Sequence, residues 1–123
     1  MIDPRPDEDL LIQSSEIILI SASRATGNPQ EDTLRFAYAD GVVYLLAQPG
    51  SGVDWYRNLE SDRGVVVRVK RRGFRGRAKL YDAKQRSKMV RQIAALFRKK
   101  YGAAALQERD QGTLLPVTID IQF

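Results

Sequence analysis

The sequence predicts an α+β fold, mainly β: a small antiparallel barrel of about six strands, with a short helix after a glycine-serine loop and one long outer helix. Three observations predict it. Apolar runs come in adjacent pairs joined by short turns, at Asp40-Gly41 and again across Lys70–Arg72. One stretch, Ala83–Tyr101, carries apolar residues at helical spacing. Strands and helices do not alternate along the chain, which argues against a doubly wound parallel sheet.

The elements follow in order. Residues 1–13 are rich in Pro and acid and read as a flexible acidic tail, with Leu10–Gln13 starting a short helix. Residues 14–123 read as a single domain, since 123 residues suffice for one core. EIILISAS, Glu16–Ser23, is a short isoleucine-rich run and reads as a buried strand. Arg24–Asp32 is a turn-rich connection broken by Gly27, Asn28 and Pro29. Thr33–Asp40 alternates, with Leu34, Phe36 and Tyr38 on one face, and Val42–Gln48 is its return strand. The loop through Gly50, Ser51 and Gly52 leads into DWYRNLE, a helix ending near Asp62. Gly64–Val69 and Gly73–Asp82 form the second hairpin, with Val69 placed opposite Phe74 and Arg68 opposite Arg75. Met89, Val90, Ile93, Leu96 and Phe97 stripe the long helix. A second helical segment is expected over Ala103–Arg109, and Leu114–Phe123 closes the barrel with Val117, Ile119, Ile121 and Phe123 alternating.

Composition removes whole function classes. The chain has no histidine and no cysteine, which excludes Cys/His zinc sites, histidine-held haem and nucleophile–histidine pairs. The N-terminus lacks an apolar stretch, and no run is long enough to span a bilayer, so the expected location is the cytoplasm. Charge is uneven: Arg63–Lys100 holds nine Arg and six Lys against one acid, Asp82. The rest of the chain carries five basic residues and fourteen acidic ones. A concentrated basic stretch attracts an anionic partner, although most such runs are solvated surface.

Three stretches could carry binding. Gln48–Gly52 offers backbone N–H groups and the Ser51 hydroxyl to a phosphate ahead of a helix, or is a plain turn capped by Asp54. Arg24, Thr26 and Gly27 at a strand end suit an anion, or form an ordinary surface loop. Arg68, Lys70, Arg75, Arg77 and Lys79 make the second hairpin basic; aromatic residues are sparse there, so single-strand stacking is not indicated. The carboxylate pairs Glu31-Asp32 and Glu60/Asp62 lie among exposed groups, which gives little support to a paired acid–base mechanism. In the helix, Trp55 and Leu59 lie four apart and can pin it to the barrel, which leaves Arg57 or Asn58 to face the glycine loop.

Taken together, Ser23-Arg24-Ala25-Thr26-Gly27, Gln48–Gly52, Trp55-Tyr56-Arg57-Asn58-Leu59 and Pro116-Val117 resemble the deazaflavin-dependent nitroreductase-like family. That family lies within the split-barrel flavin-binding superfamily that also holds the pyridoxamine-phosphate oxidases. The resemblance covers roughly residues 15–123, and WYRNL is its most specific element. It departs from the family pattern in the first motif's lysine, here Ala25, in an arginine expected near Gln30–Glu31, in Thr33-Leu34 for Pro-Leu, and in a shorter glycine loop.

The resemblance implies a split barrel, a homodimer with its site at the interface, and a bound deazaflavin coenzyme, with FMN as the alternative. Cofactor contacts then fall to Arg24, Thr26, Gln48, Gly50, Ser51, Gly52, Trp55, Asn58 and Arg68. Ser51 and the Gly50 and Gly52 amides take the phosphate, Arg24 and Arg68 take anionic groups, and Asn58 supports the glycine loop. Hydride transfer to a small organic substrate needs no catalytic histidine, because the cofactor carries the chemistry. No catalytic acid or base stands out; Tyr38, Tyr44 and Tyr56 are candidate proton donors. Two other readings fit the chain: a cofactor-less split barrel that binds a small molecule or a protein, and a basic nucleic-acid-binding module.

Overall fold

The computed structural model describes residues 7–48, 54–103 and 114–123. Its elements are α1 (Glu8–Gln13), β1 (Glu16–Ala22), β2 (Pro29–Arg35), β3 (Ala37–Ala39), β4 (Val42–Ala47), α2 (Asp54–Ser61), β5 (Gly64–Val69), β6 (Arg72–Leu80), α3 (Ala83–Tyr101) and β7 (Leu115–Gln122). Among the described residues the strands form one seven-stranded sheet in the order β2-β1-β5-β6-β7-β4-β3, every pair antiparallel. The sheet curls as a split barrel around a core that includes Leu19, Phe36, Val43, Leu45, Val67, Phe74 and Ile119. No described helix is long and apolar enough to cross a membrane.

Two helices cover different parts of the sheet. α2 buries Trp55, Tyr56, Asn58 and Leu59 against the barrel core. This is the helical spacing of the WYRNL motif, with the Trp55 and Tyr56 rings edge to face at 6.4 Å. α3 begins where the Asp82 carboxylate accepts the N–H groups of Lys84 and Gln85. Gly102 ends it at φ 109°, after the basic turn Arg98-Lys99-Lys100. Its apolar stripe, Ile93 and Phe97 with Met89 and Leu96, packs on the outside of the sheet against Ala37, Tyr44 and Leu46.

The structure differs from the sequence expectation in four places. The second strand begins at Pro29, inside the expected connection, and pairs Gln30 with Ser21 and Asp32 with Leu19. The turn is tighter than its composition suggests: Ser23 and Asn28 pair, and Gly27 at φ 79° donates back to Ser23. The expected strand Thr33–Asp40 breaks at Phe36, a fully buried corner. The Phe36 N–H goes to the Tyr101 hydroxyl and its C=O accepts from Tyr101 and Lys100, so α3 holds the corner.

The third difference is the register of the second hairpin. The turn is the two residues Lys70 and Arg71, with Lys70 at φ 56°. Val67 therefore pairs with Phe74 and Val66 with Arg75, while Arg68 faces Gly73. The expected Arg68–Arg75 opposition does not occur. A slip of two residues leaves every side chain on its original face, so apolar alternation cannot detect it; turn length decides. Fourth, residues 8–13, grouped with the tail, form α1, whose Leu11 is fully buried. The expected helix Ala103–Arg109 lies outside the described residues from Ala104 on.

Candidate functional site

β1 is apolar on both faces, and its outward residues Ile18, Ile20 and Ala22 are only half-buried. A strand apolar on both sides belongs under a cover. One outward row of the sheet runs Ile20–Val66–Arg75–Gln122 across β1, β5, β6 and β7, and beside it Gly64–Arg77–Asp120 runs across β5, β6 and β7, with Ala22 of β1 lining the same groove. An open groove of about 430 Å³ lies along these rows, bounded by Gly27 and Pro29 of the β1–β2 connection. Its floor is apolar and low, because Ala22 and Gly64 project little. Beyond it, a Cβ at Gly73 would come within 3.4 Å of Val66 Cγ1, so glycine there leaves Val66 uncovered.

Charge is arranged along one side of this floor. Arg75 and Arg77 project outward from β6, and neither makes an ion pair among the described residues. Arg77 also lines a second shallow cavity of about 380 Å³ with Arg63, Lys79 and Asp120. Arg68 does not join them: its guanidinium donates to Glu31 Oε1 at 2.7 Å.

A buried polar cluster supports the turn at the groove's end. Asn58, 3% exposed on α2, accepts the Arg24 backbone N–H at 3.1 Å. Its amide donates to Ser21 Oγ at 3.0 Å and to Gln30 Oε1 at 3.1 Å. Gln30 in turn donates to Asp32 at 2.9 Å. Thr26 Oγ1 accepts the Asn28 N–H and closes the turn locally.

The profile of the F420H(2)-dependent quinone reductase family matches residues 9–122. The chain belongs to that family. Solved structures share the fold at low identity. An F420 reductase superposes with TM-score 0.69 at 19% identity, covering 98% of this chain and 97% of its own. A putative 5-nitroimidazole antibiotic resistance protein from Bacteroides thetaiotaomicron gives TM-score 0.76 at 12% identity, covering 100% and 82%. A putative pyridoxamine 5'-phosphate oxidase from Listeria innocua gives 0.65 at 15%, covering 94% and 90%. Among curated proteins, none matches the chain significantly.

In this deazaflavin-dependent reductase family member, the site residues expected from sequence divide into groups. The structure brings Arg24, Thr26 and Asn58 together at the β1–β2 turn. Asn58 supports that turn, where the sequence placed its support on the glycine loop. Gly50, Ser51 and Gly52 lie outside the described residues, and Gln48 is exposed at the end of β4. Trp55 is 4% exposed in the barrel core and holds α2 in place. Arg68, expected on an anionic group, is held by Glu31.

None of the candidate proton donors lines the groove. Tyr38 donates to Glu8 and accepts from the Gly41 N–H. Burial raises the Tyr44 phenol, with Tyr81, Asp120 and Asp40 adding to it. Burial also raises Tyr56, helped by Glu60 and opposed by Arg86 and Arg63. The sequence reading missed the floor, Ile20, Ala22 and Val66. The signal was present: three outward apolar residues on a strand already apolar inside.

Proposed function

We propose that the chain is a deazaflavin-dependent reductase whose cofactor lies in the groove on the outer face of β1, β5 and β6. The observation that carries this reading is the low apolar floor of Ile20, Ala22, Gly64 and Val66 beside Arg75 and Arg77, which make no ion pair among the described residues. A flat tricyclic ring suits such a floor, and a phosphodiester with carboxylates suits the guanidinium edge. Arg63 and Lys79 extend that edge for a longer anionic tail. The bound deazaflavin supplies a hydride. The chain binds and orients it, excludes water from one ring face with apolar side chains, and leaves the other face open to a small oxidised acceptor of the quinone class. A second copy of the chain would cover Ile18, which remains half-buried beside the groove.

The test is titration of the purified protein with oxidised and reduced deazaflavin coenzyme and with FMN, followed by cofactor fluorescence. Micromolar binding of the deazaflavin is expected, followed by quinone-dependent oxidation of its reduced form. FMN binding in its place would reassign the cofactor. Binding of neither would end the redox reading.

A further inference from the structure

We infer that Glu31 sets how strongly this groove holds an anionic ligand, because it occupies Arg68. The inference rests on the reading of the groove as an anionic-cofactor site. Glu31 lies on β2 beside Ile20, and Arg68 lies on β5 beside Ile18. Their ion pair therefore crosses β1 diagonally, over the backbone between Ile18 and Ile20. It spans two strand spacings, about 10 Å, which the two long side chains cover together. The pair borders Ile20 and Val66 of the floor, and Arg75 and Arg77 stand on the other side.

The groove would thus present three guanidiniums to a ligand in a Glu31→Gln chain, and presents Arg75 and Arg77 while Glu31 holds Arg68. The pair itself is open to solvent, with side chains 34% and 54% exposed. Exposed pairs of this kind are weak, so a ligand phosphate or carboxylate competes with Glu31 for Arg68 on comparable terms. Glu31 then acts as an internal competitor that lowers affinity for anions and leaves affinity for a neutral ring untouched.

The experiment uses the full chain and the variants Glu31→Gln, Arg68→Gln and the double variant. Each is titrated by fluorescence with the deazaflavin coenzyme and with its neutral ring fragment, which lacks phosphate and carboxylates, at low and at physiological salt. Glu31→Gln should bind the coenzyme about three- to fivefold more tightly at low salt, with a smaller gain at high salt. The gain should vanish in the double variant, and the neutral fragment should bind all four proteins alike.

Equal coenzyme binding by wild type and Glu31→Gln overturns the inference alone. So does an equal gain on the neutral fragment. A bridge that only straps the edge strand β2 would lower the melting temperature of both single variants and leave coenzyme affinity unchanged, which also overturns it. Absence of coenzyme binding in all four proteins overturns the cofactor reading and this inference with it.

Discussion

The Asn58 side chain accepts the Arg24 backbone N–H at 3.1 Å, joining α2 to the β1–β2 turn across 34 residues of sequence. The same carboxamide donates to Ser21 and Gln30, so three of its four hydrogen-bonding positions are filled. The turn carries Gly27 and Pro29, which bound the groove. A helix residue in the core therefore supports the turn that bounds a surface groove.

Asn58→Ala should be strongly destabilising. It leaves the Arg24 N–H and the Gln30 carbonyl without this partner in a site where Asn58 is buried. The loss should be about 2–3 kcal/mol, a fall in Tm of roughly 8 °C or more. Denaturant unfolding measures it. A variant as stable as wild type would show that the cluster contributes no net stability.

Arg75→Gln and Arg77→Gln should each weaken deazaflavin coenzyme binding about tenfold, the worth of one charge-assisted contact. Both side chains are exposed, so stability should stay within about 0.5 kcal/mol. The coenzyme Kd measured at two salt concentrations checks this. Each variant should also show a shallower salt dependence. Unchanged affinity in both would move the anionic groups elsewhere.

Gly76→Ala should damage the sheet. A Cβ there would stand 2.5 Å from Ile119 Cγ2 and 3.1 Å from the Asp120 carbonyl oxygen. Neither neighbour can retreat cheaply, because Ile119 is fully buried and the second contact is backbone. A loss of about 2 kcal/mol or more is expected. Thermal melting of the variant decides it, and a wild-type Tm would contradict the packing described for β6 and β7.

Lys100 gives a pH dependence with a definite sign. Its Nζ donates to the Phe36 carbonyl at 3.0 Å and lies 3.5 Å from the Phe36 ring centroid. Burial lowers its ammonium from 10.5 to about 8, while the carbonyl and the ring face pull the other way. Between about pH 8 and 10.5 the folded chain then holds fewer protons than the unfolded chain, so this group adds stability as pH rises through that window. Lys100→Met should therefore gain less stability than wild type between pH 8 and 10. Above pH 10 the Tyr44, Tyr56 and Tyr101 phenols, raised chiefly by burial, act in the opposite sense and stability falls. Denaturant unfolding at pH 7.5 and 9.5 compares the slopes, and equal slopes would contradict the assignment.

Local sequence alone determined most of the elements of this protein and the buried face of each helix. The limits of α3, the Asp40-Gly41 turn, the anchoring of α2 by Trp55 and Leu59 and the inward run Val117, Ile119 and Ile121 all follow from periodicity and turn chemistry, which act over a few residues. Tertiary structure decided the rest. The hairpin register separates Arg68 from Arg75, and alternation is blind to a shift of two. Phe36 forms a corner because Tyr101 and Lys100, 65 and 64 residues away, hold its backbone. Asn58 serves the Arg24 turn, and Glu31 takes Arg68 across β1, because the strand order β2-β1-β5 makes neighbours of distant segments. The groove lies on the outer face of the sheet for the same reason: its floor and its charges come from three strands, and only their lateral order brings Ile20, Val66 and Arg75 into one row.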